Sequence, residues 1–248
     1  MSKSIYIFGF HGIESILNSN PELVIKVLIQ KGRKDKRVIN LTNTLSSNKI
    51  LYSISDKSNL DKISKGEIHQ GVISEVMTPS IPSEESFFHS ITNFDLKPMI
   101  LILDSVQDPR NLGACLRSAN AAGVSHVVIN KDGSAPINSL VHRTSAGAIN
   151  SLQIFHVTNL SRTIKQIQKR DIWVVGLDGK TQSSLYSVNL TGPTAVVVGS
   201  EGKGIRPLIK KNCDQVVSIP MSGNIESLNV SVATAVTLFE IKRQRERP

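Results

Sequence analysis

Three short segments of the chain combine polar or charged residues with small residues in a way that could bind a ligand. They span residues 108–117, 199–204 and 219–231. Each follows an apolar, β-rich run and lies next to a helix-like segment. Ligands of α/β proteins bind at the carboxyl ends of parallel strands, so a functional site is expected at these three loops.

The first segment places a cation beside a residue without a side chain. On a helix, Arg117 lies one turn after Gly113 on the same face, and helical side chains lean toward the amino terminus. The guanidinium would then lie over Gly113, which leaves room for a phosphate or a ribose beside it. An exposed helix arginine above a packing glycine fits the same spacing, so this segment alone leaves both interpretations open.

The other two segments also admit a structural and a functional interpretation. Glycines at 199, 202 and 204 would let the backbone approach a ligand closely, with Glu201 at the lip of a pocket. The same glycines fit a tight strand-to-helix turn. In the third segment, Ser227 and Asn229 are candidate helix caps, and a cap requires no ligand.

Several common chemistries lack their sequence patterns here. The glycine spacing at 199–204 is G-x-x-G-x-G, which differs from the dinucleotide-binding G-x-G-x-x-G. The stretch 179–181 ends like a P-loop, but Val174 occupies the position of the required upstream glycine. Cys115 and Cys213 lie far apart, and neither a zinc pattern nor the serine-hydrolase G-x-S-x-G occurs. Redox, nucleotide-hydrolysing and metallohydrolase functions are therefore disfavoured.

The alternation of segment types after residue 98 predicts the strands and helices that position these loops. Apolar runs alternate with helix-like segments, which is typical of a parallel sheet covered on both faces. Asp108 followed by Pro109 indicates a helix start, and Gly123 indicates its end. The predicted strands are Met99–Leu103, His126–Ile129, Leu152–Val157, Ile172–Leu177, Ala195–Val198 and Val216–Ile219, and the predicted helices are Pro109–Ala122, Leu160–Lys169 and Leu228–Arg245.

Residues 78–98 divide the chain. Pro79 and Pro82, among serines and glutamates, predict an extended linker that also contains a short Phe87-Phe88 patch. The residues before it alternate short helical and β-rich segments. The predicted organisation is a small α/β domain over 1–77, a linker over 78–98 and a larger α/β domain over 99–248.

The net charge of +9 over 248 residues favours a polyanionic partner such as nucleic acid. Residues 1–75 carry 11 Lys and Arg against 7 Asp and Glu (+4), residues 76–98 carry 1 against 3 (−2), and residues 99–248 carry 17 against 10 (+7). Five of the seven residues 31–37 are cations, which fits either a solvated turn or a phosphate-contacting loop. Aromatic residues make up only 4%, which disfavours a base-stacking surface for single strands.

The sequence also indicates in which cellular compartment the protein is expected. No apolar run reaches the roughly 20 residues that cross a bilayer, and no signal-peptide pattern follows Met1. Two cysteines disfavour a disulfide-stapled secreted domain. We therefore expect a cytoplasmic protein without a membrane partner.

Taken together and in this order, the three segments resemble the motifs of the SpoU/TrmH family of RNA ribose 2′-O-methyltransferases, part of the SPOUT superfamily. The resemblance covers residues 99–246. The first 77 residues, with Gly9–Gly12 and His69–Val72, resemble the ribosomal-protein-L30e-like substrate-binding domain that precedes the catalytic domain in 23S ribosomal RNA guanosine-2′-O-methyltransferases. The matching catalytic motifs are Asn111–Arg117, Val198–Gly204, Ile219–Met221 and Ser227–Ala233.

This resemblance implies an α/β fold whose C-terminal parallel sheet contains a trefoil knot. The knot would form a pocket for S-adenosylmethionine in a homodimer, and no metal is implied. Gly199, Ile219 and Leu228 would line the methyl-donor pocket. The residues around the accepting ribose would be Asn111, Arg117, Glu201, Ser227 and Asn229.

The implied reaction is methyl transfer from S-adenosylmethionine to a guanosine 2′-OH in 23S ribosomal RNA. In this family the arginine at the position of Arg117 is proposed to activate the hydroxyl. A guanidinium is almost never a free base, so stabilisation of the developing alkoxide and positioning of a phosphate are favoured over proton abstraction. Two alternatives stand beside this reading: the same reaction on transfer RNA, and an RNA-binding homologue without catalysis.

Overall fold

A computed structural model describes residues 4–77, 82–92, 97–225 and 227–246 of the chain. It divides into two compact units, one combining residues 1–80 with 137–151 and the other combining 81–136 with 152–248. In chain order the elements are β1 (Ser4–Phe8), α1 (Phe10–Ser19), β2 (Val24–Gln30), α2 (Lys36–Ser47), β3 (Leu51–Ser55), α3 (Lys57–Ser64), β4 (Val72–Met77), α4 (Glu84–Thr92), β5 (Met99–Asp104), α5 (Pro109–Ala122), β6 (His126–Asn130), α6 (Ser139–Thr144), β7 (Gln153–Val157), α7 (Leu160–Gln168), β8 (Trp173–Leu177), β9 (Thr194–Gly199), α8 (Pro207–Asn212), β10 (Gln215–Val217) and α9 (Val230–Arg245).

The first unit is built on a four-stranded mixed sheet with the order β1-β4-β2-β3. Strand β4 pairs antiparallel with β1 and β2, whereas β2 and β3 are parallel. Fully buried Ile13, Val27 and Leu45 belong to the core of this unit and come from α1, β2 and α2. The predicted small α/β layer is confirmed.

Helix α2 lies outside the predictions made from the sequence, as do β3 and α3. The side chain of Asp35 caps α2 by accepting hydrogen bonds from the backbone N–H groups of Arg37 and Val38. Leu41 and Leu45 then point one apolar stripe into the core. The rest of the helix is rich in Asn, Thr and Ser, which are weak helix formers, so packing rather than propensity stabilises it.

The segment 137–151 belongs to the first unit although it follows β6 in the chain. Asn138 caps α6 by accepting hydrogen bonds from two backbone N–H groups, and Val141 is fully buried. Arg143 forms an ion pair with Glu67. These residues were predicted to lie in the domain 99–248, and the structure differs because α6 packs on β1.

The second unit is built on a six-stranded sheet with the order β10-β8-β9-β5-β6-β7, in which every pair is parallel. All residues of the central strands β5 and β9 are buried, as expected of a sheet covered on both faces. The predicted parallel sheet is confirmed, and its six strands and three helices lie within two residues of the predicted bounds. The trefoil knot stays a prediction.

The predicted linker contains a helix. Residues 78–81 and 93–96 lie outside the described residues, but α4 occupies the middle of the segment. Its Phe87 is fully buried, with its ring 5.3 Å from that of Phe155, and Glu84 accepts a hydrogen bond of 2.7 Å from the Thr163 hydroxyl. The prediction of an extended chain was wrong for α4, because burial of Phe87 in the core of the second unit stabilises a helix there.

Candidate active site

Helix α5 begins directly after the carboxyl end of β5 and carries the first motif. Asp108 caps it by accepting a hydrogen bond of 2.7 Å from the Arg110 N–H, and Pro109 occupies its first turn. Gly123 ends it in the left-handed conformation at φ 84°. These signals set where Asn111 and Arg117 stand on the helix.

Three predicted site residues meet in one hydrogen-bond network. The Asn111 Nδ2 donates to Glu201 Oε2 at 2.8 Å, and the Asn229 Nδ2 donates to Asn111 Oδ1 and to Glu201 Oε1, both at 3.2 Å. The residues lie 118 positions apart at the extremes. The structure therefore brings the three motif segments together, although each is separate in sequence.

Asn229 serves both as a cap and as a member of this network. Its Oδ1 accepts hydrogen bonds from the Ser231 N–H at 2.9 Å and the Ser231 hydroxyl at 2.7 Å, at the start of α9. Because these bonds fix the side-chain amide, its Nδ2 is held toward Asn111 and Glu201. The capping role predicted for Asn229 is confirmed.

A cavity of about 560 Å³ lies beside the network in the second unit. Asn111 and Glu201 form part of its wall, and Lys203 and Arg206 add positive charge. Its other lining residues are Ser105, Val106, Gln107, Asp108, Ser200, Gly204, Ile205, Pro207 and Val230.

Arg206 and Asp104 are functional candidates that were not predicted from the sequence. Asp104 ends β5 and its side chain is 0% exposed, yet it is a carboxylate. It accepts hydrogen bonds from the Arg206 N–H at 2.9 Å and from Nε at 2.7 Å. The available signal was an acidic residue that directly ends the otherwise apolar run 99–103.

Gly199 is required by the turn itself. A Cβ at this position would lie 2.0 Å from the Gly204 carbonyl carbon and 2.2 Å from the Ile205 nitrogen. Ser200 and Gly204 exchange backbone hydrogen bonds of 3.1 and 2.9 Å, and Gly202 and Gly204 have positive φ. The tight-turn interpretation of the glycines is therefore correct, and a role of Gly199 toward the methyl donor stays a prediction.

The other predicted site residues lie outside the network. Arg117 and Ser227 are exposed, and Arg117 forms no hydrogen bond or ion pair with the residues that the structure describes. Ile219 and Leu228 are half-buried at the two ends of the loop between β10 and α9. The same loop exposes Met221 at 39% and Ile225 at 68%, so it offers the apolar surface that an adenine ring requires.

The pKa values of the two thiols argue against a nucleophilic cysteine. Burial raises the pKa of Cys115 to about 11 and that of Cys213 to about 12, so both stay protonated. Among the described residues, no group of three His, Cys, Asp or Glu side chains is placed to hold a metal ion. No helix in that part of the chain has the length and apolarity to span a membrane.

A family model described as the SpoU rRNA Methylase family matches residues 98–239. The chain belongs to this family. A second model, for RNA 2′-O ribose methyltransferase substrate binding, matches residues 6–82. The predicted resemblance is thereby confirmed for both parts of this SpoU-family chain.

Relatives of this SpoU-family chain match it from end to end. It is 46% identical over 246 residues to the 23S rRNA (guanosine-2′-O-)-methyltransferase RlmB of Haemophilus influenzae, covering 99% of each chain. The Escherichia coli K12 protein of the same name is 44% identical over 245 residues, covering 99% of this chain and 100% of that protein.

Solved structures share its fold. AviRb, a SpoU methyltransferase of Streptomyces viridochromogenes in complex with AdoMet, has a TM-score of 0.83 at 24% identity and covers 98% of this chain and 90% of its own. A structure of an RNA 2′-O ribose methyltransferase has a TM-score of 0.78 at 27% identity, with the same coverage. The A. aeolicus TrmH/SpoU tRNA modifying enzyme, at TM-score 0.55 and 30% identity, covers only 66% of this chain and 84% of its own.

Proposed function

We propose that this chain transfers a methyl group from S-adenosylmethionine to the ribose 2′-OH of a guanosine in 23S ribosomal RNA, in the cytoplasm. The observation that carries the proposal is the hydrogen-bonded meeting of Asn111, Glu201 and Asn229 at the carboxyl end of the parallel sheet. End-to-end similarity to 23S RNA enzymes favours this substrate. The tRNA-modifying relative, which covers two thirds of the chain, is the weaker guide.

The loop between β10 and α9 is the proposed holder of the methyl donor. Ile219 and Leu228 bound it, and the exposed side chains of Met221 and Ile225 provide apolar area for an adenine. Gly199 ends β9, two strands from β10 in the sheet, and would border the same pocket through its backbone. When bound, S-adenosylmethionine supplies an electrophilic methyl group on a sulfonium.

The network around Glu201 is the proposed holder of the ribose. A ribose hydroxyl is a weak nucleophile, so its position and orientation matter most. Both carboxylate oxygens of Glu201 already accept amide hydrogens, but each retains a lone pair that can accept a hydrogen bond from a hydroxyl. Ser227, exposed two residues before Asn229, would complete this side of the ribose.

Arg117 is proposed to stabilise the negative charge that develops on the ribose oxygen. A guanidinium keeps its proton in proteins, so it acts as a fixed cation rather than a base. Six residues separate Arg117 from Asn111, which is roughly 240° around an α-helix. The two side chains of one subunit therefore face different directions, which favours an Arg117 that serves the cavity of a partner subunit.

Helix α9 supports the proposed homodimer. Val232 and Phe239 lie seven residues apart on one face and are 48% and 45% exposed, which is unusual for large apolar side chains. Co-expression of Arg117→Ala with Glu201→Ala chains tests the sharing of sites. Heterodimers would contain one intact site, so about a quarter of wild-type activity is expected from the mixture. Activity no higher than that of either variant alone would place Arg117 in its own subunit's site.

A ribose-methylation map tests the reaction itself. We expect 23S RNA from a strain without the gene to lack one 2′-O-methylguanosine, and the purified protein to restore it with tritiated S-adenosylmethionine. Transfer RNA from the same strain should be unchanged. An unchanged 23S methylation map would contradict the proposal. A methyl group missing from transfer RNA would show that transfer RNA is the substrate instead. A binder without catalysis would show no thermal stabilisation by S-adenosylmethionine or its demethylated product.

A further inference from the structure

The ion pair between Asp104 and Arg206 places a constrained cation at the wall of the cavity. A buried carboxylate is costly unless it is paired and hydrogen-bonded, and here Arg206 supplies both its backbone N–H and its Nε. The Ser105 hydroxyl adds a longer bond of 3.3 Å. Asp104 is therefore an anchor that fixes the direction of the Arg206 side chain.

The outer end of the same guanidinium is available to a ligand. Nε faces Asp104, whereas Nη1 and Nη2 form no hydrogen bond with any described residue. The Arg206 side chain is 49% exposed, in contrast to the fully buried carboxylate that holds it. A guanidinium fork with two free nitrogens matches the geometry of a phosphate, which it can bind through two parallel hydrogen bonds.

We propose that Arg206 binds a backbone phosphate of the acceptor nucleotide, with Asp104 as the residue that positions it. This inference rests on the proposed function, because the ribose is assigned to Asn111 and Glu201 in the same cavity. A phosphate adjoins the ribose on each side, so a cation on the wall next to the ribose-binding residues is placed to receive one. The proposed donor-binding residues Ile219 and Leu228 do not line this cavity, which favours the RNA phosphate over the donor's carboxylate.

Two substitutions at Arg206 test the proposal on the full-length protein. For Arg206→Ala we expect the KM for 23S RNA to rise about tenfold or more, with a smaller change in kcat, because a charge-assisted contact to substrate is lost. In filter binding, the slope of log affinity against log salt should fall by about 0.7–0.9, which is the loss of one phosphate contact. Arg206→Lys should restore the wild-type slope, since it keeps the charge. It should lower the KM only part of the way back to the wild-type value, since it lacks the two parallel donors of the guanidinium.

Two further variants distinguish the positioning role of Asp104 from the effect of the Arg206 charge. Lys211→Ala removes an exposed cation near the end of α8, the helix that Arg206 directly precedes, and should leave the KM and the slope unchanged. Asp104→Asn should raise the KM less than Arg206→Ala does, because one of its two hydrogen bonds to Arg206 is lost while the guanidinium remains. If Asp104→Asn fails to fold, the Arg206 pair still decides the proposal.

Two results would overturn the proposal. One is an Arg206→Ala protein with unchanged KM and salt slope. The other is weakened binding of S-adenosylhomocysteine or S-adenosylmethionine in calorimetry with unchanged RNA affinity, which would assign Arg206 to the donor. A wild-type protein that binds 23S RNA but does not methylate it would contradict the proposed function alone, and the filter-binding slopes would still test Arg206.

Discussion

The contiguous run 31–37 and the cavity at the carboxyl ends of β5 and β9 both contain cations, and the two regions differ in what these charges contact. In the run, Arg33 pairs with Asp35 at 2.7 Å and Arg37 pairs with Glu14 at 3.0 Å. At the cavity, only Nε of the Arg206 guanidinium donates to a carboxylate, and Lys203 has no ion pair within the described part of the chain.

The contiguous run stabilises its own unit. Arg33 and Arg37 lie over the ring of buried Phe10, at 5.0 and 4.6 Å from its centroid, so both guanidiniums are part of the packing around α1. The hydrogen bond from Arg33 lowers the pKa of Asp35. A high local density of cations in the sequence is thus a poor measure of the positive charge available to a ligand, because neighbouring acids and rings occupy it.

The largest effect is expected at Arg117, which forms no hydrogen bond or ion pair with the described residues. We expect Arg117→Ala to lower kcat about 10²–10³-fold, because charge stabilisation in the transition state is lost. Arg117→Lys should retain measurable methylation, since it keeps a cation. Asn120→Ala, at an exposed position of the same helix, is the control and should stay near wild type. In a tritiated-methyl assay on 23S RNA, activity of Arg117→Lys no better than Arg117→Ala would contradict the electrostatic role.

The network offers the next largest effect. Glu201→Gln replaces one acceptor oxygen by an NH₂ group, so one of the two amide donors from Asn111 and Asn229 loses its partner. We expect kcat/KM to fall about 10–100-fold, since a hydrogen bond to a charged group is lost. Combined with Asn111→Ala, the losses should be less than additive, with a coupling of about 0.5–3 kcal/mol. Strict additivity would show that the two side chains act independently.

The two units can also be compared through one histidine in each, the partly buried His142 and the fully buried His126. Burial lowers the pKa of His142 in the first unit and of His126 in the second to about 4. Unfolded histidine titrates near pH 6.5, so the unfolded chain binds more protons between about pH 6.5 and 4. The contribution of each neutral histidine to the free energy of unfolding is therefore fully present above pH 6.5. It is lost as pH falls through this window, which lowers the free energy of unfolding by up to about 3 kcal/mol for each histidine.

Urea unfolding at pH 7 and pH 5 measures this loss. His126→Gln and His142→Gln should each flatten the pH dependence, because the titrating group is removed. A variant that keeps the wild-type pH dependence would show that its histidine does not remain neutral in the folded state.

The smallest effect is expected in the contiguous run. Lys34 and Lys36 are its two exposed cations without an ion pair in the described residues. We expect their joint replacement by Ala to change the KM for 23S RNA less than about twofold, because solvated surface charges contribute little. A tenfold rise would show instead that this turn contacts RNA, and the contrast with the cavity would disappear.

Much of the second unit could be predicted from the sequence because its signals are local. The strands of a sheet buried on both faces are continuous apolar runs, and α5 carries its start and stop residues at Asp108 and Gly123. The helix α4 was missed because Pro79, Pro82 and the serines gave a stronger local signal than one phenylalanine. The core that buries Phe87 includes Phe155, 68 positions away, and local patterns contain no such information.

The residues of the site could be predicted from the sequence, but the contacts among them could not. The motif residues Asn111, Glu201 and Asn229 were identified from their order in the chain, but the bonds among them depend on the strand order β9-β5 and on the packing of α5 and α9. The pairing of Asp104 with Arg206 spans 102 residues and lies outside any motif. This pairing could not be predicted from the sequence, because it depends on the fold that brings the two residues together.

The position of α6 has a consequence for dividing this protein into fragments. Because residues 137–151 belong with residues 1–80, the first unit is assembled from two stretches of chain, and the second is likewise interrupted. A single cut near residue 98 would leave β1 without α6 in one fragment and α6 without β1 in the other. Genetic truncation should therefore yield two poorly folding pieces, whereas joining 136 to 152 through a short loop would respect the covalent boundaries of the second unit.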